Sequence, residues 1–138
     1  MIAYLDSSVI LRAVLGQAGR LREWRDLERG VASALVEVEC LRTLDRLRLA
    51  DGIAEDLIAA RRAAVYEVLG TLDVVEPTRV ILSRAAQPLP VTLGTLDAIH
   101  LATALTWREA TGIELVVATH DAQLGLAARA SGMSAVGI

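Results

Sequence analysis

Four acidic residues stand apart by where they fall against the apolar runs of the chain: Asp6, Glu39, Asp97 and Asp121. Asp6 closes the apolar stretch Met1–Leu5. Asp121 follows the β-branched run Glu114–Ala118 by three residues, in Ala118-Thr119-His120-Asp121. Asp97 stands in the first turn of an expected helix, and Glu39 lies six residues after Ser33 in the first half of another. Four carboxylates gathered in one place repel, since two unit charges about 4 Å apart cost roughly 4 kcal/mol at an effective dielectric near 20. Without a counter-charge some of them take up protons. A divalent cation removes the conflict, and an all-oxygen set without His or Cys suits Mg²⁺ or Mn²⁺ better than zinc. The chemistry such a site runs is hydrolysis of a phosphodiester by metal-activated water.

Each acid also has a plainer account. An acid in a first helical turn is favourable with the helix dipole, which alone could explain Asp97 or Asp121. Asp6 has no comparable structural use, because it closes a buried first strand. Glu37 competes with Glu39. On a helical wheel Glu37 falls in the apolar arc of Leu41 and Leu44, and Glu39 shares a face with Arg42, Thr43 and Arg46. The wheel does not choose between them.

The elements that must position these residues are short strands alternating with helices. Strands are expected at Met1–Leu5, Val31–Ser33, Leu72–Val75, Glu114–Ala118 and Ser134–Gly137. Helices are expected from Ser7 or Ser8, either of which could cap, to about Gly16, and at Arg20–Arg29, Ala34–Leu49 and Ile53–Leu69. Further helices are expected at Thr78–Ala86, at Leu96–Thr111 with Thr95 as cap, and at Ala122–Ser131. Gln87–Leu93, with Pro88 and Pro90, reads as a loop. Strands this short between helices mean an α/β fold whose parallel sheet is covered on both faces. In such sheets ligands bind beyond the carboxyl ends of the strands, where the winding direction switches. All four acids fall at that edge.

Composition bounds the alternatives. The 138 residues are 54% hydrophobic and 22% charged, the profile of one globular unit spanning residues 1–138. No apolar run reaches the roughly 18–20 residues that a bilayer requires, and the N-terminus lacks the basic start of a signal peptide. The cytoplasm is therefore the expected compartment, with no membrane partner. Cys40 is the only cysteine, so there is no internal disulfide and no cysteine zinc site. Net charge is −3, and nothing global advertises nucleic-acid binding. All 14 basic residues are arginine. The absence of lysine excludes phosphotransferases of the haloacid-dehalogenase type and response-regulator receivers, both of which need one.

Four blocks of sequence carry a resemblance. They are Tyr4-Leu5-Asp6-Ser7-Ser8, then Ser33-Ala34-Leu35-Val36-Glu37-Val38-Glu39-Cys40-Leu41-Arg42, then Leu96-Asp97-Ala98-Ile99-His100-Leu101-Ala102-Thr103-Ala104. The fourth is Val117-Ala118-Thr119-His120-Asp121, leading into Leu124, Ala127, Ala128 and Gly132. In this order and at these distances the chain resembles PIN-domain proteins, and among them the VapC toxins of bacterial VapBC modules. The resemblance covers nearly the whole chain. It implies a strand order near 3-2-1-4-5, a Mg²⁺- or Mn²⁺-dependent endoribonuclease acting on single-stranded RNA, and Asp6, Glu39, Asp97 and Asp121 as the metal and catalytic residues. It selects Glu39 over Glu37. Ser7 or Thr119 would support the carboxylates by hydrogen bonds. The partners it implies are an RNA substrate, a VapB-like antitoxin in the active-site groove and a second copy in a homodimer or a larger toxin–antitoxin assembly.

Other features admit two readings. His100 shares a helical face with Asp97 and could serve as a general acid, but a packed, hydrogen-bonded residue is the expectation. Arg22, Arg25 and Arg29 could contact phosphate, or form a solvated face with Glu23, Asp26 and Glu28, which is the expectation here. Arg42 and Arg46, beside Glu39, are better placed to hold RNA. Trp24, with Leu21 and Leu27, fits core, a dimer surface or an antitoxin groove. A PIN-like protein that binds RNA or a partner without cutting is the rival, and retention of all four acids argues against it.

Overall fold

The computed structural model describes residues 1–138. Its five strands are β1 Ile2–Leu5, β2 Arg29–Ser33, β3 Asp73–Val75, β4 Val116–Ala118 and β5 Ala135–Val136. Every pairing is parallel, and the order is β3-β2-β1-β4-β5. Six helices connect them: α1 Ser7–Val14, α2 Leu35–Asp51, α3 Glu55–Leu69, α4 Arg79–Ala85, α5 Thr95–Thr111 and α6 Ala122–Ala130. The α/β class and the strand order both match expectation.

The period of two along each strand builds a core on each face of the sheet. Ala3 and Leu5 of β1, Ala32 of β2 and Ala118 of β4 point one way, into Val9, Ile10 and Val14 of α1, Val36, Cys40 and Leu44 of α2 and Val65 of α3. Tyr4, Val31 and Val117 point the other way, into Leu101, Ala104 and Leu105 of α5 and Leu124, Ala127 and Ala128 of α6. With both faces buried, these strands are short apolar runs without a polar side.

Three local expectations are corrected. Arg20–Arg29 is not a helix: only a five-residue 3₁₀ segment forms at Arg22–Asp26, and Arg29 and Gly30 already belong to β2. Strand pairing overrides the helical composition here, because Ile2 and Ala3 of β1 take Arg29 and Gly30 as their partners. Position 30 also lies so close to its neighbours that a Cβ there would come within 2.4 Å of a Leu72 methyl. Neither Ser7 nor Ser8 caps α1, since the capping position is Asp6 and makes no side-chain cap bond. Thr95 lies inside α5, whose cap is Gly94.

The connections β1-α1-β2 and β2-α2-α3-β3 build outward on one side of β1. The chain then crosses to β4 on the other side. The winding therefore reverses between β1 and β4. Asp6 leaves the end of one of these strands, and Thr119, His120 and Asp121 leave the end of the other.

Candidate active site

Asp6 is where the two sides of the switch point are tied together. Its backbone N–H donates to Ala118 O of β4 at 3.0 Å, and its side chain is buried. Asp6 Oδ2 accepts from Thr119 Oγ1 at 2.9 Å and from Ser8 Oγ at 2.5 Å. Oδ1 accepts no hydrogen bond and faces His100 Nε2 at 3.9 Å. Ser8 Oγ in turn accepts from the backbone N–H of His120 at 3.0 Å, and Thr119 Oγ1 from that of Asp121 at 2.9 Å. The loop after β4 is thus fixed to the turn after β1 through side-chain oxygens.

Glu39 enters from the second turn of α2 and is half-buried, whereas Glu37 is exposed. Its Oε1 meets His100 Nε2 at 2.6 Å, and Oε2 accepts from Ser7 Oγ at 3.1 Å. The helical wheel left these two glutamates level. The structure separates them, because the face carrying Glu39 is the one turned toward the end of β1. Ser7 and Thr119, the two expected supports, each touch a different carboxylate.

Asp97 sits half-buried in the first turn of α5. Burial pushes its carboxyl above the usual range, and the charges of Asp121, Asp6 and Glu39 push it the same way against a smaller opposing pull from His100. Three of its four charged neighbours are therefore the other expected acids. Asp121 is exposed and has a structural use as well: its Oδ1 accepts from the N–H groups of Gln123 and Leu124, at 2.8 and 2.9 Å, and caps α6.

Three polar residues at this edge were not assigned a supporting part by sequence. Ser8 is bonded to Asp6 as described. His100 is buried on α5, with Nε2 on Glu39 and Nδ1 at 2.7 Å from the hydroxyl of Tyr4, which is buried in β1. The signal for Tyr4 was a residue with a polar tip in a strand that is otherwise apolar; buried tyrosines find a partner for their hydroxyl. Burial pulls the His100 imidazole down, but the hydrogen bond to Glu39 and the charges of Glu39, Asp6 and Asp97 outweigh it and leave it raised. His100 is thus the packed, hydrogen-bonded residue expected. Burial, helped by the charges of Asp6 and Glu39 and only partly opposed by hydrogen bonding from Ser33 and Thr103, holds the Tyr4 phenol far above its ordinary range.

Arg42 and Arg46 line an open cavity of about 460 Å³ with Ser7, Glu39, Thr43, Leu35, Val38 and Leu96. Both are exposed; Arg42 reaches Asp45 at 3.2 Å, and Arg46 donates to Thr43 at 2.8 Å. The Arg22, Arg25 and Arg29 stripe does not exist as a helical face. Arg29 instead bonds Asp73 and lies 5.4 Å over the Trp107 ring. Glu28 pairs with the N-terminal amine, not with an arginine. Trp24 packs against the core on the α1 side of the sheet.

The family model for the PIN domain matches residues 3–130. Ribonuclease VapC46 of Mycobacterium tuberculosis is 33% identical over 137 residues, covering 96% of this chain and 95% of that protein. Ribonuclease VapC35 of the same species is 34% identical over 138 residues, at 96% and 94% coverage. Among solved structures, FitAcB from Neisseria gonorrhoeae superposes with a TM-score of 0.70 at 18% identity, covering 99% of this chain and 96% of that one. VapBC2 from Rickettsia felis, bound to a promoter DNA fragment, gives 0.67 at 11% identity, covering 98% and 97%. No helix is long and apolar enough to cross a membrane.

Proposed function

The chain belongs to the PIN domain family, and on that footing we propose that it is a Mg²⁺- or Mn²⁺-dependent endoribonuclease, the toxin half of a toxin–antitoxin pair. The observation that carries the reading is the meeting of Asp6 and Glu39 at one nitrogen of His100, with Asp97 raised by burial and by the charges of Asp121, Asp6 and Glu39. Such a concentration of carboxylate charge suits a divalent cation. The donor set fits a hard one. Asp6 Oδ1 accepts no hydrogen bond, and the remaining candidates are carboxylate oxygens.

Asp6, Glu39, Asp97 and Asp121 would hold the ion. When bound, it supplies a water made more acidic and a counter-charge for the developing phosphorane. The chain's own groups do the rest. Thr119 and Ser8 hold Asp6 with one oxygen left open, Ser7 holds Glu39, and Arg42 and Arg46 place the RNA strand beside the acids. The apolar side chains Leu35, Val38 and Leu96 in the same cavity suit an antitoxin segment that excludes RNA. A homodimer, a VapB-like antitoxin and a cytoplasmic site of action complete the reading.

The test is cleavage of single-stranded RNA by the purified chain with Mg²⁺ or Mn²⁺. A chelator should abolish it, Glu39→Gln should abolish it, and Glu37→Gln should leave most of it. RNA bound but left intact in the presence of both metals would make this a binding protein. Activity surviving the chelator would remove the metal from the mechanism.

A further inference from the structure

Nε2 of His100 is the ring nitrogen that faces the acids, at 2.6 Å from Glu39 Oε1 and 3.9 Å from Asp6 Oδ1. On geometry alone Asp6, Glu39 and His100 could bind one ion together, each offering a ligand atom within 4.8 Å of the others. The hydrogen bond decides against it. An ionised carboxylate only accepts, so the 2.6 Å contact requires a proton on Nε2, in the neutral ring and in the imidazolium alike. A nitrogen carrying a proton has no lone pair for a metal.

The other side of the ring explains why the proton stays there. Nδ1 lies 2.7 Å from the Tyr4 hydroxyl, both residues are fully buried, and the rings meet edge to face at 5.9 Å. A phenol keeps its proton near neutrality and donates its O–H to Nδ1. A neutral imidazole that accepts at Nδ1 must carry its hydrogen at Nε2. The other oxygen of Glu39 is held by Ser7. The glutamate is thus fixed from two sides, with one end of the chain of bonds anchored in the central strand of the sheet.

We infer that Tyr4 and His100 are positioning residues, a phenol–imidazole relay that sets the Glu39 carboxylate for a divalent cation while keeping His100 out of the coordination shell. The inference rests on reading Glu39 as a cation ligand. It adds that Tyr4, whose hydroxyl bonds His100 and none of the acids, controls cation affinity through two hydrogen bonds.

The experiment uses the full chain and Mn²⁺. Long-range ¹H–¹⁵N spectra of the metal-free protein read the His100 tautomer directly, and with only two histidines the assignment is simple. A proton on Nε2 is expected, and a lone pair there overturns the inference without any variant. Mn²⁺ titration should then show Tyr4→Phe and His100→Leu each weakening binding by about ten- to hundredfold, the usual effect of losing a hydrogen-bond support behind a ligand. The double variant should bind no more weakly than His100→Leu alone, and His100→Gln, which restores a donor, should recover part of the loss. Val65→Ala, a core change on α3, controls for lost stability and should bind as wild type does. If Tyr4→Phe binds Mn²⁺ as tightly as wild type, the relay is wrong while the metal reading survives. If the wild-type chain binds no Mn²⁺, both fall.

Discussion

At the scale of single residues, Asp6, Asp97 and Asp121 were legible because each stands just past a strand or in a helical first turn, whereas Glu39, in the second turn of α2, was told from Glu37 only by the resemblance. The first three positions are fixed by local sequence. Tyr4, His100 and Ser8 were not legible, because what they do depends on partners brought up by the fold: Tyr4 and His100 are 96 positions apart. The same distinction separates the two roles of Asp121, whose capping bonds are local and whose charge on Asp97 is not. Asp97 gives a measurable consequence. Its folded carboxyl lies above the unfolded value, so its contribution to stability is fully present below the unfolded pKa of about 4 and is lost as pH rises through the folded one. Near neutrality the ionised Asp97 therefore costs the metal-free protein stability. Asp97→Asn should raise the melting temperature of the metal-free chain by a few degrees at pH 7, with the gain fading below about pH 4. It should also remove most of the stabilisation given by Mn²⁺. A variant that melts lower than wild type at pH 7 would mean that Asp97 is held by attractive contacts and that the crowding argument is wrong.

At the scale of elements, five strands and six of the seven expected helices were readable from apolar period and breakers to within a few residues. The one failure has a physical cause. Arg20–Arg29 has helical composition, but its last residue is claimed by pairing with β1, and Arg29 gains Asp73 and Trp107 only as a strand residue. Local propensity spans about 1 kcal/mol in sheets and loses to pairing and packing. Gly30 isolates that contest. Valine suits a strand better than glycine, so propensity alone would have Gly30→Val stabilise by up to about 1 kcal/mol. Yet any Cβ there meets Leu72 at 2.4 Å and Leu5 at 3.3 Å, and both of those side chains are packed in the core. Overpacking of this kind costs about 1–3 kcal/mol. The variant should therefore show a lower urea midpoint with an unchanged slope. A raised midpoint would mean that Leu72 yields freely and that close packing is not what keeps glycine in β2.

At the scale of the whole molecule, the sheet order could be reached only through the resemblance, since short apolar strands carry no mark of their neighbours. Once the order is in place, the reversal between β1 and β4 is enough to bring Asp6 and the Thr119–Asp121 turn together. Net charge makes a different kind of demand. At −3 the molecule as a whole repels RNA, so attraction has to be local, and beside the acids it comes from Arg42 and Arg46. Each phosphate neutralised on a single strand contributes a slope of about −0.7 to the dependence of log affinity on log salt. Two such contacts give about −1.4, a shallow dependence for a nucleic-acid enzyme. Measured on a cleavage-dead Glu39→Gln chain with a labelled single-stranded RNA, Arg42→Ala or Arg46→Ala should each flatten the slope by about 0.7. A steep slope that neither substitution changes would move the RNA path away from α2. The distant arginines at positions 20, 22 and 25 would then be the side chains to replace next.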